Sequence, residues 1–344
     1  MDLFCVGMYR ACSTWQYDVA ALLLERHRSG QRLGYLTGTE YADLDDREPA
    51  GDAWRVVKSH EGHPRFAQAL AEGRALAIYS YRDLRDVVYS MLHKRGVSFA
   101  EFTRQGMVHQ VLANDRFWNQ QPLLLVQRYE DLIAQPSAGV AQLARHLGIT
   151  LAKGEADEVA AEYSLQANRR RAAELGRRLQ AEGIDVTNPA NAQRYDNHTL
   201  LHWNHVRDGR AGGWGAQATP HQRAVLSRLV SLWLVAHGYE LDRSWAASSG
   251  QSAEPSAPRA ALARLRWEYN LALGWLRCLG RCASLRHPRL ATALKRALGL
   301  PTEAVGALPA IPQAPGSHVR FDGSTSHANP AHEPLETTTA RHSH

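Results

Sequence analysis

Cysteine is scarce in this chain of 344 residues: Cys5, Cys12, Cys278 and Cys282 are the only four. Four are too few for a disulfide framework, and none of their spacings is a zinc pattern. No apolar run reaches the ~18 residues that a membrane span needs, and no basic segment leads into an apolar run at the amino end. These absences predict a cytoplasmic protein with reduced thiols. No internal repeat is visible. Acidic residues are scarce in one region only. Between Arg259 and Arg296 there are nine basic residues against the single acid Glu268, a charge of +8. The whole chain carries +6, so the remainder stands at −2 and the basic balance describes the carboxyl-terminal part. Hydrophobic residues at 44% and charged residues at 22% exclude wholesale disorder and collagen-like repeats. The length suggests two domains, or one large domain with appendages.

Leu3 to Tyr9 reads as a buried strand, followed by a short loop and a helix from Thr14 to Ser29 that Gly30 stops. Further strands are predicted at Trp54–Ser59, Ala75–Arg82 and Leu123–Tyr129. Helical patterns occupy Arg65–Glu72, Asp86–Lys94, Phe99–Asn119 and Ala138–Leu147. Strands alternating with helices imply an α/β fold, a parallel sheet flanked by helices. Gly154 to Glu182 reads as charged helix, Asn188 to Gly215 as loop, and His221 to His237 as a last helix of this unit. The expected organisation is a domain over 1–245, a linker over 246–258, a basic amphipathic helical extension over 259–300 and a disordered tail over 301–344.

Four motifs carry chemistry. In Gly7-Met8-Tyr9-Arg10-Ala11-Cys12-Ser13-Thr14-Trp15 a loop feeds a helix start, directing free N–H groups and the positive dipole end at an anion. Arg10 adds charge, and Ser13 and Thr14 add hydroxyls. The kinase P-loop is GxxxxGK[ST]; here its second Gly is Cys12 and its Lys is Ser13, so no magnesium-nucleotide site follows. Alone, the stretch is an ordinary Ser/Thr N-cap. In Lys58-Ser59-His60, residues two apart share one side of a strand end, and a His there suits a general base. Alone, it is one loop His among 17. Arg82 to Ser90 begins where a strand ends and enters a helix, so the guanidinium and the hydroxyl suit a phosphate. Arg207-Asp208-Gly209-Arg210-Ala211-Gly212-Gly213-Trp214 is a glycine-rich turn bearing two arginines, which suits an anion.

In this order the set resembles the sulfotransferases that use 3′-phosphoadenosine 5′-phosphosulfate (PAPS). Arg10 to Trp15 is similar to that family's KSGTTW loop, Lys58-Ser59-His60 to its K-T-H, Tyr129-Glu130-Asp131-Leu132 to its YEDL, and Arg207 to Trp214 to its RKGxxGDW. The likeness spans roughly residues 3–240 and implies the P-loop-NTPase-like sulfotransferase fold. It also implies PAPS as co-substrate without a metal. By the resemblance, Arg10 would sit at the bridging oxygen, where the family has Lys. Ala11, Cys12, Ser13 and Thr14 would form the 5′-phosphosulfate loop, and Trp15 would stack on adenine. Lys58 would contact the sulfuryl group and His60 would deprotonate the acceptor hydroxyl. Arg82, Ser90, Arg207, Gly209 and Arg210 would grip the 3′-phosphate, with Tyr129 near the adenine. Cys12 stands where the family has Gly, Asp208 where it has a basic residue and Gly215 where it has Lys. The resemblance implies a hydroxyl acceptor, with an amine as second choice, and the sequence leaves a carbohydrate, a lipid and a small metabolite all open. The rival readings are a kinase-like P-loop protein and an inactive sulfotransferase-fold binding protein; the retained Lys58 and His60 oppose the latter.

The segment Glu155 to His205 is the candidate for acceptor recognition, with Arg169-Arg170-Arg171, Arg177-Arg178, His198, His202, Trp203 and His205. Its arginine run also reads as a solvated helix face. In 259–296, Leu262, Leu265, Tyr269, Leu273 and Leu276 follow helical spacing beside Arg259, Arg266, Arg277 and Arg281. That pattern fits peripheral contact with the inner membrane face. It equally fits a helical hairpin packed on the main domain and turning near His287-Pro288. Nucleic acid is not an expected partner, because no zinc-finger, homeodomain or RRM pattern is present.

Overall fold

The first strand, β1 (Asp2–Gly7), is buried along its whole length. Leu3 and Cys5 enter one core, while Phe4 and Val6 enter another, as the two-residue period of a strand dictates. Four more strands follow: β2 (Gly30–Tyr35), β3 (Trp54–Lys58), β4 (Ala75–Tyr81) and β5 (Leu124–Arg128). In the computed structural model, which describes residues 1–47, 53–188, 191, 193–204, 209–246 and 257–297, they form one sheet in the order β2-β3-β1-β4-β5. All pairs are parallel. The Trp54–Ser59, Ala75–Arg82 and Leu123–Tyr129 expectations hold to within a residue at each end.

The intervening helices are α1 (Ser13–His27), α2 (Gly38–Arg47), α3 (Pro64–Ala71), α4 (Leu84–Arg95), α5 (Phe99–Arg104), α6 (Met107–Asn119), α7 (Tyr129–Ala134), α8 (Pro136–His146), α9 (Glu155–Glu162), α10 (Leu165–Ala181), α11 (Pro220–Ala236), α12 (Ala257–Arg286) and α13 (Pro288–Ala297). Helices α1, α8 and α9 bury Leu23, Leu143 and Val159 against one face of the sheet. Helices α3, α4, α6 and α11 bury Phe66, Val87, Trp118 and Leu226 against the other.

Several elements differ from the sequence reading: the short helix α7 was not expected, and the charged stretch Gly154–Glu182 is two helices, α9 and α10. Gly30 does not merely stop a helix; it opens β2, an edge strand whose sequence GQRLGY offers no apolar run. Residues 38–47 form α2, which the reading did not contain. The single helix expected over Phe99–Asn119 breaks at Gln105–Gly106. Gly106 takes φ 72° there, and a Cβ on it would fall 2.2 Å from the Gly274 carbonyl oxygen. The break is where α12 crosses. Arg277 donates to the Arg104 carbonyl, and Arg281 to the Gln105 and Gly106 carbonyls and to Gln110 Oε1. These cations sit on the carbonyl end of α5, where the helix dipole favours them. Trp267 packs on Phe99 with ring centroids 5.6 Å apart. Thus α12 has a face packed on the domain, and α13 follows it after a break at His287. The expected tail over 301–344 lies outside the described residues, as does most of the linker.

The amino end is fixed by charge. Asp2, fully buried, accepts from Arg55 Nε at 2.7 Å, Arg55 Nη2 at 2.8 Å and Tyr41 Oη at 2.7 Å. Removing the carboxylate would leave a buried guanidinium without its main partner, which costs about 3–5 kcal/mol. Asp2→Ala is therefore expected to lower unfolding free energy by that amount in urea titrations; a loss below about 1 kcal/mol would show that the network contributes no more than a surface pair.

Candidate active site

The loops after β1, β3 and β4 all leave the sheet at its carboxyl edge, where open α/β sheets gather their functional groups. The loop after β1 runs from Met8 to Cys12 into α1. Arg10 and Cys12 take φ 63° and 71°, the left-handed region that favours glycine. Cys12, at the N-cap, makes no side-chain capping bond, and the first turn of α1 contains no acid. By contrast α4, α5, α10 and α11 start on Asp83, Ser98, Ser164 and Thr219, whose side chains cap them. The start of α1 thus keeps its dipole and N–H groups uncompensated by its own side chains.

Arg82, buried at the end of β4, ties this loop to the glycine-rich turn. It donates to the Arg10 carbonyl at 3.2 Å and to the Arg210 carbonyl at 2.7 Å. It also pairs with Asp86 at 3.3 Å and lies over the Tyr129 ring at 4.1 Å. Asp86 accepts from the backbone N–H groups of Gly212 at 2.6 Å and Trp214 at 3.0 Å. Arg10 Nε donates to Ser90 Oγ at 3.1 Å. Residues from the first, third and fourth motifs, and Tyr129 of the YEDL-like stretch, therefore meet. Gly209 takes φ 69°, and a Cβ on it would meet Leu165 at 2.7 Å. Ser13 is buried, and Trp15 packs partly buried against the α1 core beside Gly139. Arg207, Asp208 and His205 lie outside the described residues.

The second motif joins the same place. Lys58 Nζ donates to Thr14 Oγ1 at 2.7 Å. Burial pushes this ammonium down to about 8, and the nearby Arg10 charge acts in the same direction. His60 Nδ1 lies 2.8 Å from the Gly7 carbonyl oxygen. A carbonyl only accepts, so Nδ1 carries the proton and Nε2 presents its lone pair. Burial first, and then Lys58, lower the imidazole to about 3, so it is neutral across the physiological range. Its ring packs on Tyr9 at 4.4 Å and near Tyr35 at 6.0 Å.

Two residues at the site, Lys94 and Glu61, escaped the sequence reading. Lys94 hydrogen-bonds Asn204, and burial followed by the Arg10 charge lowers it to about 7. Its signal was its spacing: Asp86, Ser90 and Lys94 recur every four residues on one face of α4. His202 is held well below its ordinary value, by burial first and then by the charges of Lys94, Lys58 and Arg10. It thereby singles out one residue of the long candidate segment. The arginine run of that segment is on α10, where Arg169, Arg170, Arg177 and Arg178 are exposed. Glu61, next to His60, is only 4% exposed. Its Oε2 has no hydrogen-bond partner among the described residues. Among the described residues no group of three or more His, Cys, Asp or Glu is placed to hold a metal ion.

Residues 2–231 match the family described as Sulfotransferase domain. No curated protein sequence matches the chain. Among solved structures, mouse sulfotransferase SULT7A1 complexed with PAP (3′-phosphoadenosine 5′-phosphate) gives a TM-score of 0.47 at 18% identity, covering 68% of this chain and 84% of that one. Retinol dehydratase in complex with androsterone and inactive cofactor PAP gives 0.47 at 16% identity, covering 68% and 80%. Retinol dehydratase with retinol and PAP gives 0.47 at 17% identity, covering 68% and 81%.

Glu61 generates a stability test that needs no ligand. Burial, and then Glu40, raise its carboxyl from 4.5 to about 7. Between those values the folded chain holds more protons than the unfolded one, so stability falls as pH rises through this window. The loss from this group is about 3 kcal/mol at most. Glu61→Gln should be more stable than the parent at pH 8 and close to it at pH 5 in thermal melts; an equal difference at both pH values would remove Glu61 as the titrating group.

Proposed function

Because this chain belongs to the sulfotransferase domain family, we propose that it moves a sulfuryl group from PAPS to a hydroxyl of a carbohydrate, lipid or small-metabolite acceptor. An amine is the second acceptor class. The observation that carries the reading is the His60 Nδ1 to Gly7 hydrogen bond, which leaves a neutral base beside Lys58, Arg10 and the start of α1. The acceptor oxygen attacks sulfur while the sulfur–oxygen bond to the 5′-phosphate breaks. The acceptor proton passes to His60 Nε2, and PAP leaves with the released electron pair. This is an in-line displacement governed by positioning and charge stabilisation. Lys58 and Arg10 supply positive charge to the transferring group and leaving oxygen. Ser13, Thr14 and the N–H groups at the start of α1 suit the 5′-phosphate. Trp15 and Tyr129 serve the adenine, and Ala11 and Cys12 shape the loop.

Arg82, Ser90, Arg207, Gly209 and Arg210 form the 3′-phosphate side of this proposal. Arg82 acts there chiefly by fixing the two loops to each other. The catalytic unit in this reading is 1–245, followed by a linker over 246–258, a basic extension over 259–300 and a tail over 301–344. No helix of the described residues is long and apolar enough to cross a membrane; the proposed location is the cytoplasm.

Calorimetric titration with PAP, run beside ADP and magnesium-ATP, tests the donor. Selective PAP binding is expected; equal binding of all three, or none, would overturn the donor assignment. With PAPS and an acceptor found by screening, His60→Ala should cost about 10²–10⁴-fold in turnover and leave PAP affinity unchanged. Near wild-type turnover would remove His60 as the base. PAP affinity should decline as pH rises through about 8, the value to which Lys58 is lowered, because the ammonium that meets the anion loses its proton. Lys58→Arg, which stays charged, should abolish that decline. A decline near pH 7 that survives the substitution would assign the titration to Lys94.

A further inference from the structure

The helix α12 has two faces that bury differently. Successive helical residues turn by about 100°, so Trp267, Asn270, Leu271, Gly274 and Cys278 share one side. That side packs on α5 and α6. On the opposite side stand Leu265, Tyr269, Leu276 and Leu279, with Trp275 at its edge. They are 66%, 64%, 57%, 44% and 52% exposed. A helix packed on a domain ordinarily turns a polar face outward; α12 turns an apolar one outward.

The flanks of that stripe are cationic. Arg266, Arg277 and Arg286 are exposed, and the only acid between Arg259 and Arg296, Glu268, is engaged by Arg228 of α11. An apolar stripe about 21 Å long, bordered by arginines and bearing Tyr and Trp, has the chemistry of a surface that lies in a lipid headgroup layer. Two copies of this face brought together would set like charges against each other. A phosphodiester backbone would leave the leucines in water.

We propose that the outward face of α12 docks the protein on an anionic lipid surface, with Leu265, Tyr269, Leu276 and Leu279 entering the headgroup layer and the flanking arginines meeting the lipid phosphates and carboxylates. The proposal stands apart from the transfer reaction, since it involves no residue assigned to the site.

Flotation of the full chain with phosphatidylcholine vesicles, with and without phosphatidylserine, tests it. Flotation is expected only with phosphatidylserine, weakening as salt is raised. The double variant Leu265→Glu/Leu276→Glu changes two exposed side chains, so its melting temperature should match the parent while its flotation falls about tenfold or more. Absence of flotation, equal flotation on neutral vesicles, or equal flotation of the variant would overturn the proposal. Light scattering that shows a dimer in the parent and a monomer in the variant, without flotation, would assign the face to a second copy instead. Failure of PAP to bind would leave the flotation result untouched.

Discussion

The pairing of β1 with strands on both its flanks sets the position of Arg10, Lys58, His60 and Arg82. Cys5 lies opposite Lys58 on one side and Ile78 on the other, and Gly7 lies opposite Ser80. The register delivers the loop of Arg10, the Lys58–His60 end of β3 and Arg82, just past β4, to one edge. A slip of one residue would exchange the two faces of a strand; in β3 it would send Val57 toward the α1 side and misdirect Lys58 from Thr14. Gly7 permits the closeness of these strands at their ends, since a Cβ there would fall 2.4 Å from Ser80 Oγ and 2.7 Å from the Ser80 carbonyl oxygen. Its own carbonyl is then free to hold His60.

The same convergence concentrates positive charge. Arg10, Lys58 and Lys94 lie near enough that Arg10 depresses both lysines, on top of the larger effect of burial. Like charges in a partly dry site cost energy that an anion would recover. Two carboxylates near them are otherwise engaged: Asp86 by Arg82 and two backbone N–H groups of the glycine-rich turn, and Asp18, which raises Lys58, by Arg32. Glu61 is protonated in part at neutral pH because it is buried among Tyr9, Tyr35 and Glu40 rather than beside a cation. The site is thus shaped to favour added negative charge: His60 stays neutral, whereas Lys58 and Lys94 are cationic below about 8 and about 7.

The inner strands β1, β3 and β4 were legible in the sequence because burial on both faces demands apolar runs, and β5, an edge strand with Val126 exposed, because its own sequence is the apolar run Leu124-Leu125-Val126. The edge strand β2 was not, since an edge position tolerates Gln31, Arg32 and two glycines, and Gly30 carries the same letter whether it ends a helix or opens a strand. The split between α5 and α6 depends on Gly274, 168 positions from Gly106, and no local pattern reports such a distant crossing. Within the site, strand–loop–helix order revealed Arg10, Lys58, His60 and Arg82. Lys94 arrives through α4, where only its four-residue spacing from Ser90 signals it, and His202 through the loop around Tyr195, where nothing in the local sequence sets it apart from its neighbouring histidines as the one that feels the charge of Arg10. Cys12 shows the reverse: its departure from glycine was visible, but only the backbone reveals that it occupies a conformation glycine would adopt more readily.

The basic extension left two readings open in the sequence, a packed hairpin and a membrane-facing helix, because apolar residues in α12 recur on more than one helical face. The structure separates them by angle. Residues 267, 271, 274 and 278 supply the packing that Gly106 and Gly274 make close, whereas 265, 269, 276 and 279 point away from it. Packing therefore does not compete with an outward role; it orients it. Arg281 is spent inward, on Gln110 and the carbonyls that end α5, and its charge reaches Tyr9 in the loop after β1. A helix anchored this way holds its outward stripe in fixed relation to the sheet edge, which a flexible tail of the same composition would not do.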